Sequence, residues 1–259
     1  MTLRILTASI TDKGLNTRKN INEDSYLILK NQGIFAVADG VGGAHAGDVA
    51  SQSAVKTIKK LVQSPPKNYE PVAFIQRLIQ AANATVYQLA QTAQRMMGST
   101  LVLMMVREDY AVIGHLGDSR IYLSRDGKLL QLTKDHSKLQ TLLDSLPENS
   151  FDEANYFEKH VITKALGAKA EAEPDVQKVN LKHDDIFILC TDGIYNYNTE
   201  EEILQNVTEN GHDLQKICEV FRDYCYEKGA KDHLTAIVLK VSLQNPDTQK
   251  TMVLKRPVG

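Results

Sequence analysis

Two periodicities divide the chain. Short apolar runs, alternating or continuous in the manner of half-buried and buried strands, fall at 5–10, 26–29, 34–38, 99–106, 111–115, 120–124, 129–132, 186–190 and 234–241. The stretch "SRDGK" at 124–128 sets an Asp-Gly turn between two of them and predicts a hairpin. Apolar residues at three- and four-residue spacing predict helices over 47–63 and 71–97, the second carrying one stripe from Ile75 and Leu78 through Val86 to Met96. Thr199 followed by Glu202 reads as a capping box that opens a helix over 200–207. Leu214, Ile217, Cys218, Phe221 and Cys225 give a further helix, over 213–227, its inward face. The strands come in adjacent groups, not in strict alternation with helices, which points to an α+β fold of packed sheets covered by helices. Weak patterning over 137–160, with Pro147, Asn149 and Ser150, predicts a surface flap. The polar stretch 244–259, with two prolines, reads as a loose C-terminal tail beyond a domain of residues 1–243.

Composition narrows the function classes. A length of 259 residues allows one large domain or two small ones, and 42% hydrophobic with 24% charged residues is ordinary for a globular protein. A formal net charge of -2 leaves no basic footprint for nucleic acid. No apolar run reaches 18 residues, so no membrane span is expected, and "MTLRILTASITDKG" has no signal-peptide core. Cys190, Cys218 and Cys225 are odd in number and widely spaced, which favours reduced thiols and a cytoplasmic setting. Cys218 and Cys225 fall on an apolar stripe as small buried hydrophobes, and no C-x-x-C pair suggests zinc.

Candidate chemistry comes from a recurrence. "GIFAVADGVGG" drives a buried run into Asp39-Gly40, and "DIFILCTDG" drives another into Asp192-Gly193. Asp232 immediately precedes the run at 234–241, Asp118 sits at a bend between two strands, and Glu23 and Asp24 precede a third. A single Asp-Gly is ordinarily a turn. Several strand-end carboxylates meeting at one rim would repel one another and raise their pKa values. No run of Lys or Arg accompanies them, so a hard divalent cation with oxygen ligands is the simplest neutraliser. Glycine after Asp also lets a backbone carbonyl approach such an ion.

In chain order, "NED" at 22–24, "ADGVGG" at 38–43, "GST" at 98–100, "GDSR" at 117–120, "KDHS" at 134–137, "TKALG" at 163–167, "CTDG" at 190–193 and "KDHLTAIV" at 231–238 resemble the bacterial type 2C, metal-dependent protein phosphatases of the PPM family. The resemblance runs from about residue 7 to 241. It implies an αββα four-layer sandwich of two mainly antiparallel sheets flanked by helices. It also implies hydrolysis of phosphoserine and phosphothreonine by a hydroxide bridging two Mn²⁺ or Mg²⁺ ions. On this pattern Asp39 bridges the ions, the Gly40 carbonyl binds the second, and Asp192 and Asp232 complete the first. Asp24, with Glu23, stands behind them through water, and Asp118 with Asp192 holds a third, weaker ion. The resemblance further implies a monomer acting on phosphorylated proteins opposite a cognate Ser/Thr kinase.

Three positions depart from the family pattern. The Arg that clamps substrate phosphate usually stands three residues before the motif Asn, whereas Lys19 is there and Arg18 is one earlier, in a segment that looks two residues longer than usual. Arg18 is the better clamp because its guanidinium forks onto phosphate and an ammonium does not; a solvated basic turn is the alternative. Val41 stands where animal relatives carry a His, so the proton for the leaving alkoxide falls to His45, one position off the pattern, or to water. His136 reads as structural, fixing the turn before the flap; the remaining histidines, His233 among them, show no pattern. Gly40 to Gly47 lacks the Lys-Ser/Thr ending of a phosphate-binding P-loop, and Gly42 and Gly43 read as packing residues. Two other classes compete: a non-catalytic phosphoprotein-binding member of the same fold, and a structural calcium-binding protein. The first would be signalled by loss of a ligand Asp, and none is missing; the second explains the acids but not their order.

Overall fold

The computed structural model describes residues 2–15, 21–42, 46–66, 68–146, 158 and 161–244. The predicted strands pair into two sheets, antiparallel throughout. One sheet runs, in order, β1 (Thr2–Asp12), β11 (Leu234–Gln244), β10 (Ile186–Cys190), β7 (Arg120–Arg125) and β8 (Lys128–Gln131). The other runs β2 (Asp24–Leu29), β3 (Ile34–Gly42), β5 (Leu101–Val106), β6 (Tyr110–Leu116) and β9 (Asp175–Asn180), with the short β4 (Met97–Ser99) also on β3.

Continuous apolar runs form strands here because both faces of each sheet are covered. Along β3, Ile34, Ala36 and Ala38 face α1 (Gly47–Val62) and α2 (Pro71–Ala93), while Phe35 and Val37 face the other sheet. Along β10, Phe187 and Leu189 face the first group across the intersheet core. Ile186, Ile188 and Cys190 face α4 (Asp192–Tyr195), α5 (Glu200–Asn210) and α6 (Leu214–Glu227). Three apolar layers between four layers of structure make the expected αββα sandwich. The three cysteines are buried and unbridged in the helix-facing layers, where burial pushes the Cys190 and Cys218 thiols up to about 12.

Helix ends follow capping chemistry. Pro71 occupies the first turn of α2, and the Glu70 carboxylate accepts from the Ala73 N–H at 2.7 Å. The Thr199–Glu202 capping box is formed on α5, which runs three residues beyond the expected 207. The expected helix over 71–97 stops at Ala93, because Gln94 takes a left-handed conformation (φ 50°) and reverses the chain so that Met97 can pair with Gly42. The run 99–106 is two strands, not one: Thr100 breaks it by bonding Asp39 with both side chain and backbone. The sequence reading lacks β9, α4 and α3 (Lys138–Leu143), the last of these inside the expected flap. β11 extends past Val241 to Gln244; the rest of the tail lies outside the described residues.

Candidate metal centre

Five aspartates meet at one rim of the two sheets. Asp39 near the end of β3 is register partner of Asp24 at the start of β2. Asp192 opens α4 directly after β10, Asp232 precedes β11, and Asp118 sits in the bend between β6 and β7. Glu23, Asp39, Asp118, Asp192 and Asp232, with Gly40, Val41, Gly42 and Ile162, line a cleft of about 260 Å³. Among the described residues no Lys or Arg lines it.

Close backbone approach makes this convergence possible. A Cβ on Gly193 would lie 1.8 Å from the His233 carbonyl oxygen, so only glycine lets Asp192 come this near Asp232. A Cβ on Gly40 would lie 1.9 Å from the Gly47 carbonyl oxygen, so the chain after Asp39 packs against the start of α1. The tightest approaches fall at Gly40 and Gly47; Gly42 is also closely packed, as expected, a Cβ there lying 2.9 Å from the Met96 carbonyl oxygen and 3.1 Å from Ala46 at the start of α1, and Gly43 lies outside the described residues.

Polar neighbours fix each carboxylate. The Thr191 hydroxyl donates to Asp24 Oδ2 at 2.9 Å and accepts from the Thr235 N–H at 3.1 Å. The Asp39 N–H donates to Thr100 Oγ1, which is hydrogen-bonded to Ser119 beside Asp118. His233 ties two ligand segments together: its Nδ1 accepts from the Glu23 N–H, and its own N–H donates to Asp232 Oδ1 at 2.9 Å. His233, Thr191 and Thr235 lie within the motifs at 190–193 and 231–238, but the sequence assigned them no role of their own.

The electrostatics are those of an uncompensated anionic site. Burial pushes the Asp24 carboxyl up to about 7, the charge of Asp232 adding to it and hydrogen bonds from Thr235 and Thr191 opposing it. Burial, then Asp24, Asp192, Asp232 and Asp118, hold the Asp39 carboxyl well above the ordinary carboxylate range. Burial, then Asp232 and Asp118, do the same to Asp192. Asp118 is pushed up to about 6 by burial and Asp135. Asp24 Oδ1 and Asp192 Oδ1 are buried with no hydrogen-bond partner among the described residues. Buried carboxylate oxygens ordinarily have partners, and a hard divalent cation is the partner this all-oxygen set suits. The residues present therefore fit the expected ions.

Arg18, Lys19 and His45 lie outside the described residues. Val41 lies at the cleft, where the animal-type His would stand. His136 is structural as expected: its Nδ1 accepts from the Gly117 N–H at 3.1 Å and its N–H donates to the Gly117 carbonyl, clamping the bend that carries Asp118. Away from these aspartates, ligand atoms of His115, His136 and Asp175 come within metal-binding reach of one another. They make a poor site, because the bond from Gly117 to Nδ1 leaves the neutral ring's proton on Nε2, the nitrogen that faces Asp175.

Comparison with known proteins agrees with this geometry. The family model "Protein phosphatase 2C" matches residues 15–238. The serine/threonine phosphatase stp of Listeria innocua is 31% identical over 241 residues, covering 90% of this chain and 94% of the relative. Protein phosphatase PhpP of Streptococcus pneumoniae is 30% identical over 253 residues, covering 96% of this chain and all of the relative. The crystal structure of the catalytic domain of the phosphatase PstP with two manganese ions superposes with a TM-score of 0.82 at 29% identity, over 93% of this chain and 100% of that one.

Proposed function

We propose, from the premise that the chain belongs to the protein phosphatase 2C family, how its acidic cleft hydrolyses phosphoserine and phosphothreonine in proteins. The enzyme is a metal-dependent protein serine/threonine phosphatase. The observation that carries this reading is the meeting of five aspartates at one rim with two buried oxygens lacking partners. In this reading Asp39, which feels the charges of all four other aspartates, would hold two Mn²⁺ or Mg²⁺ ions together with the Gly40 carbonyl, Asp192 and Asp232. Asp24, with Glu23, stands one layer back, oriented by Thr191 and His233. Asp118 with Asp192 would hold a third ion, more weakly because few protein oxygens would serve it.

When bound, the cations supply Lewis-acid activation of water and neutralise the phosphoryl oxygens, with no covalent enzyme intermediate. The chain's own residues hold the geometry: Thr100 fixes Asp39 from both sides, and His136 fixes the bend of Asp118. Arg18 clamps the substrate phosphate, and His45 or water supplies the proton to the leaving alkoxide.

Hydrolysis of p-nitrophenyl phosphate by metal-stripped protein tests the reading. Turnover appears on adding Mn²⁺ or Mg²⁺ and vanishes with EDTA. A non-catalytic phosphoprotein-binding member or a calcium-binding module gives no turnover with any cation. Three buried, unbridged cysteines support a cytoplasmic setting, membership of the phosphatase family supports a signalling role opposite a Ser/Thr kinase, and no helix of the described residues is long and apolar enough to cross a membrane. We propose a monomer, which light scattering checks; phosphoprotein levels with and without the gene check the pairing with a kinase.

A further inference from the structure

A second cavity adjoins the acidic cleft. It encloses about 470 Å³ between the end of α2 and the segment 162–168. Val41, Gly42 and Ile162 line both spaces, so the two lie side by side. The chemistry changes across that shared wall. The groove is lined by Ala90, Met97, Ala165 and Ala168, and among the described residues its only charged lining residues are Arg95 and Lys164. Lys164 leans toward Asp175 at 3.4 Å. Arg95 has no ion pair among the described residues, and its backbone is held by the bond from its N–H to the Ala90 carbonyl. The left-handed turn at Gln94 also throws Met96 outward, leaving it 90% exposed at the lip; the next most exposed large hydrophobic of the described residues is Leu15 at 47%.

We infer that this groove seats the polypeptide flanking the phosphorylated residue of the substrate, with Arg95 selecting an acidic side chain and Met96 covering an apolar one. The inference rests on the phosphatase reading of the neighbouring cleft. The cleft has room for a phosphorylated side chain, and a protein substrate must continue somewhere. An extended chain advances about 3.3 Å per residue, so neighbours of the phosphosite reach the groove within a few positions. Acidic neighbours are disfavoured beside the rim carboxylates and are matched by the guanidinium fork a short distance away. Methionine is flexible and polarizable, which suits a lip that must fit more than one side chain.

Matched phosphothreonine peptides, one flanked by Glu and Leu and one by Lys and Ser, test the inference with p-nitrophenyl phosphate as control. Wild-type protein hydrolyses the acidic-apolar peptide with kcat/KM about three- to fivefold higher, the scale of an exposed ion pair. Arg95→Glu abolishes or inverts that preference, and Met96→Asp lowers kcat/KM for the same peptide about fivefold through lost apolar contact. Both leave p-nitrophenyl phosphate turnover and melting temperature unchanged. Equal wild-type rates on the two peptides, or peptide rates untouched by both variants, overturn the inference while the phosphatase reading stands. If the wild type turns over no phosphoester with Mn²⁺, the reading of the cleft fails separately. Fluorescence anisotropy of a non-hydrolysable phosphonate version of the acidic peptide still decides about the groove: weaker binding by Arg95→Glu supports it, and equal binding overturns it.

Discussion

The acidic cleft and the groove beside it share the Val41–Gly42 wall and Ile162 yet carry opposite chemistry among the described residues: four aspartates and a glutamate without a cation in one, two cations without a carboxylate in the other. The difference teaches where each kind of function resides. The cleft concentrates like charge at a buried rim, which the fold tolerates only with glycine at close approaches, hydroxyls on every side, and a counter-ion to come. The groove asks for nothing of that kind; exposed side chains on a turn suffice. A cleft built this way should fail sharply when one member is changed, and a groove should respond in small steps.

Asp39→Asn breaks the cleft side of the comparison most severely. Removing one charge from the centre of the rim lowers phosphatase turnover about 10²-fold or more, the usual cost of deleting a key electrostatic group. Retention of more than about a tenth of wild-type kcat contradicts the bridging role assigned to it.

The positions that fail sharply are also those the sequence displays. Asp39, Asp118, Asp192 and Asp232 each stand at the end of a strand or bend, two of them before glycine, and their order carries the family resemblance. Packed sheets covered by helices were legible because both-face burial makes β3, β5 and β10 nearly pure apolar runs; the four-layer order came with the family resemblance. β9 was not, because it lies at a sheet edge and its two valines, Val176 and Val179, face opposite layers among polar neighbours. The end of α2 was hidden because Met96 and Met97 continue an apolar stripe that only the left-handed Gln94 interrupts. The groove is a product of that turn, so its residues look ordinary in one dimension. His233 was unreadable for a related reason: its bond to the Glu23 N–H spans 210 positions.

Arg18 and His45 sharpen the comparison at the substrate's own charge and leaving group. Arg18→Ala raises KM for a phosphopeptide about tenfold, more than it lowers kcat, and more than Lys19→Ala does. A larger effect at Lys19 reverses the assignment through that lengthened segment. His45→Ala slows phosphopeptide hydrolysis and spares p-nitrophenyl phosphate, whose leaving group needs no proton; equal losses on both substrates remove its role as proton donor.

Asp118→Ala tests the outer edge of the cleft. It lowers turnover several-fold, most on phosphopeptides, and leaves the two tighter ions in place. If Asp118 only supports the β6–β7 bend, the variant instead loses thermal stability and keeps its kcat per folded molecule.

The smallest effect is on the stability of the metal-free protein. Burial raises the Asp24 carboxyl to about 7 and the Asp118 carboxyl to about 6, whereas an unfolded Asp titrates near about 4. Between those values the folded chain holds more protons than the unfolded one, so stability is full at the acid side of the window and falls as pH rises through it. The melting temperature of metal-free protein drops by a few degrees between about pH 5 and about pH 7.5, and added Mn²⁺ reverses the drop. A melting temperature that climbs across this interval without metal contradicts the electrostatic description of the rim.

Calorimetric titration of Mn²⁺ into metal-stripped protein tests the central claim most directly, because it reads the cleft without relying on turnover. The account predicts two tight sites in the wild type, a further weak one lost in Asp118→Ala, and collapse of the tight pair in Asp39→Asn. A wild type that takes up no Mn²⁺, or an Asp39→Asn isotherm equal to that of the wild type, would contradict it.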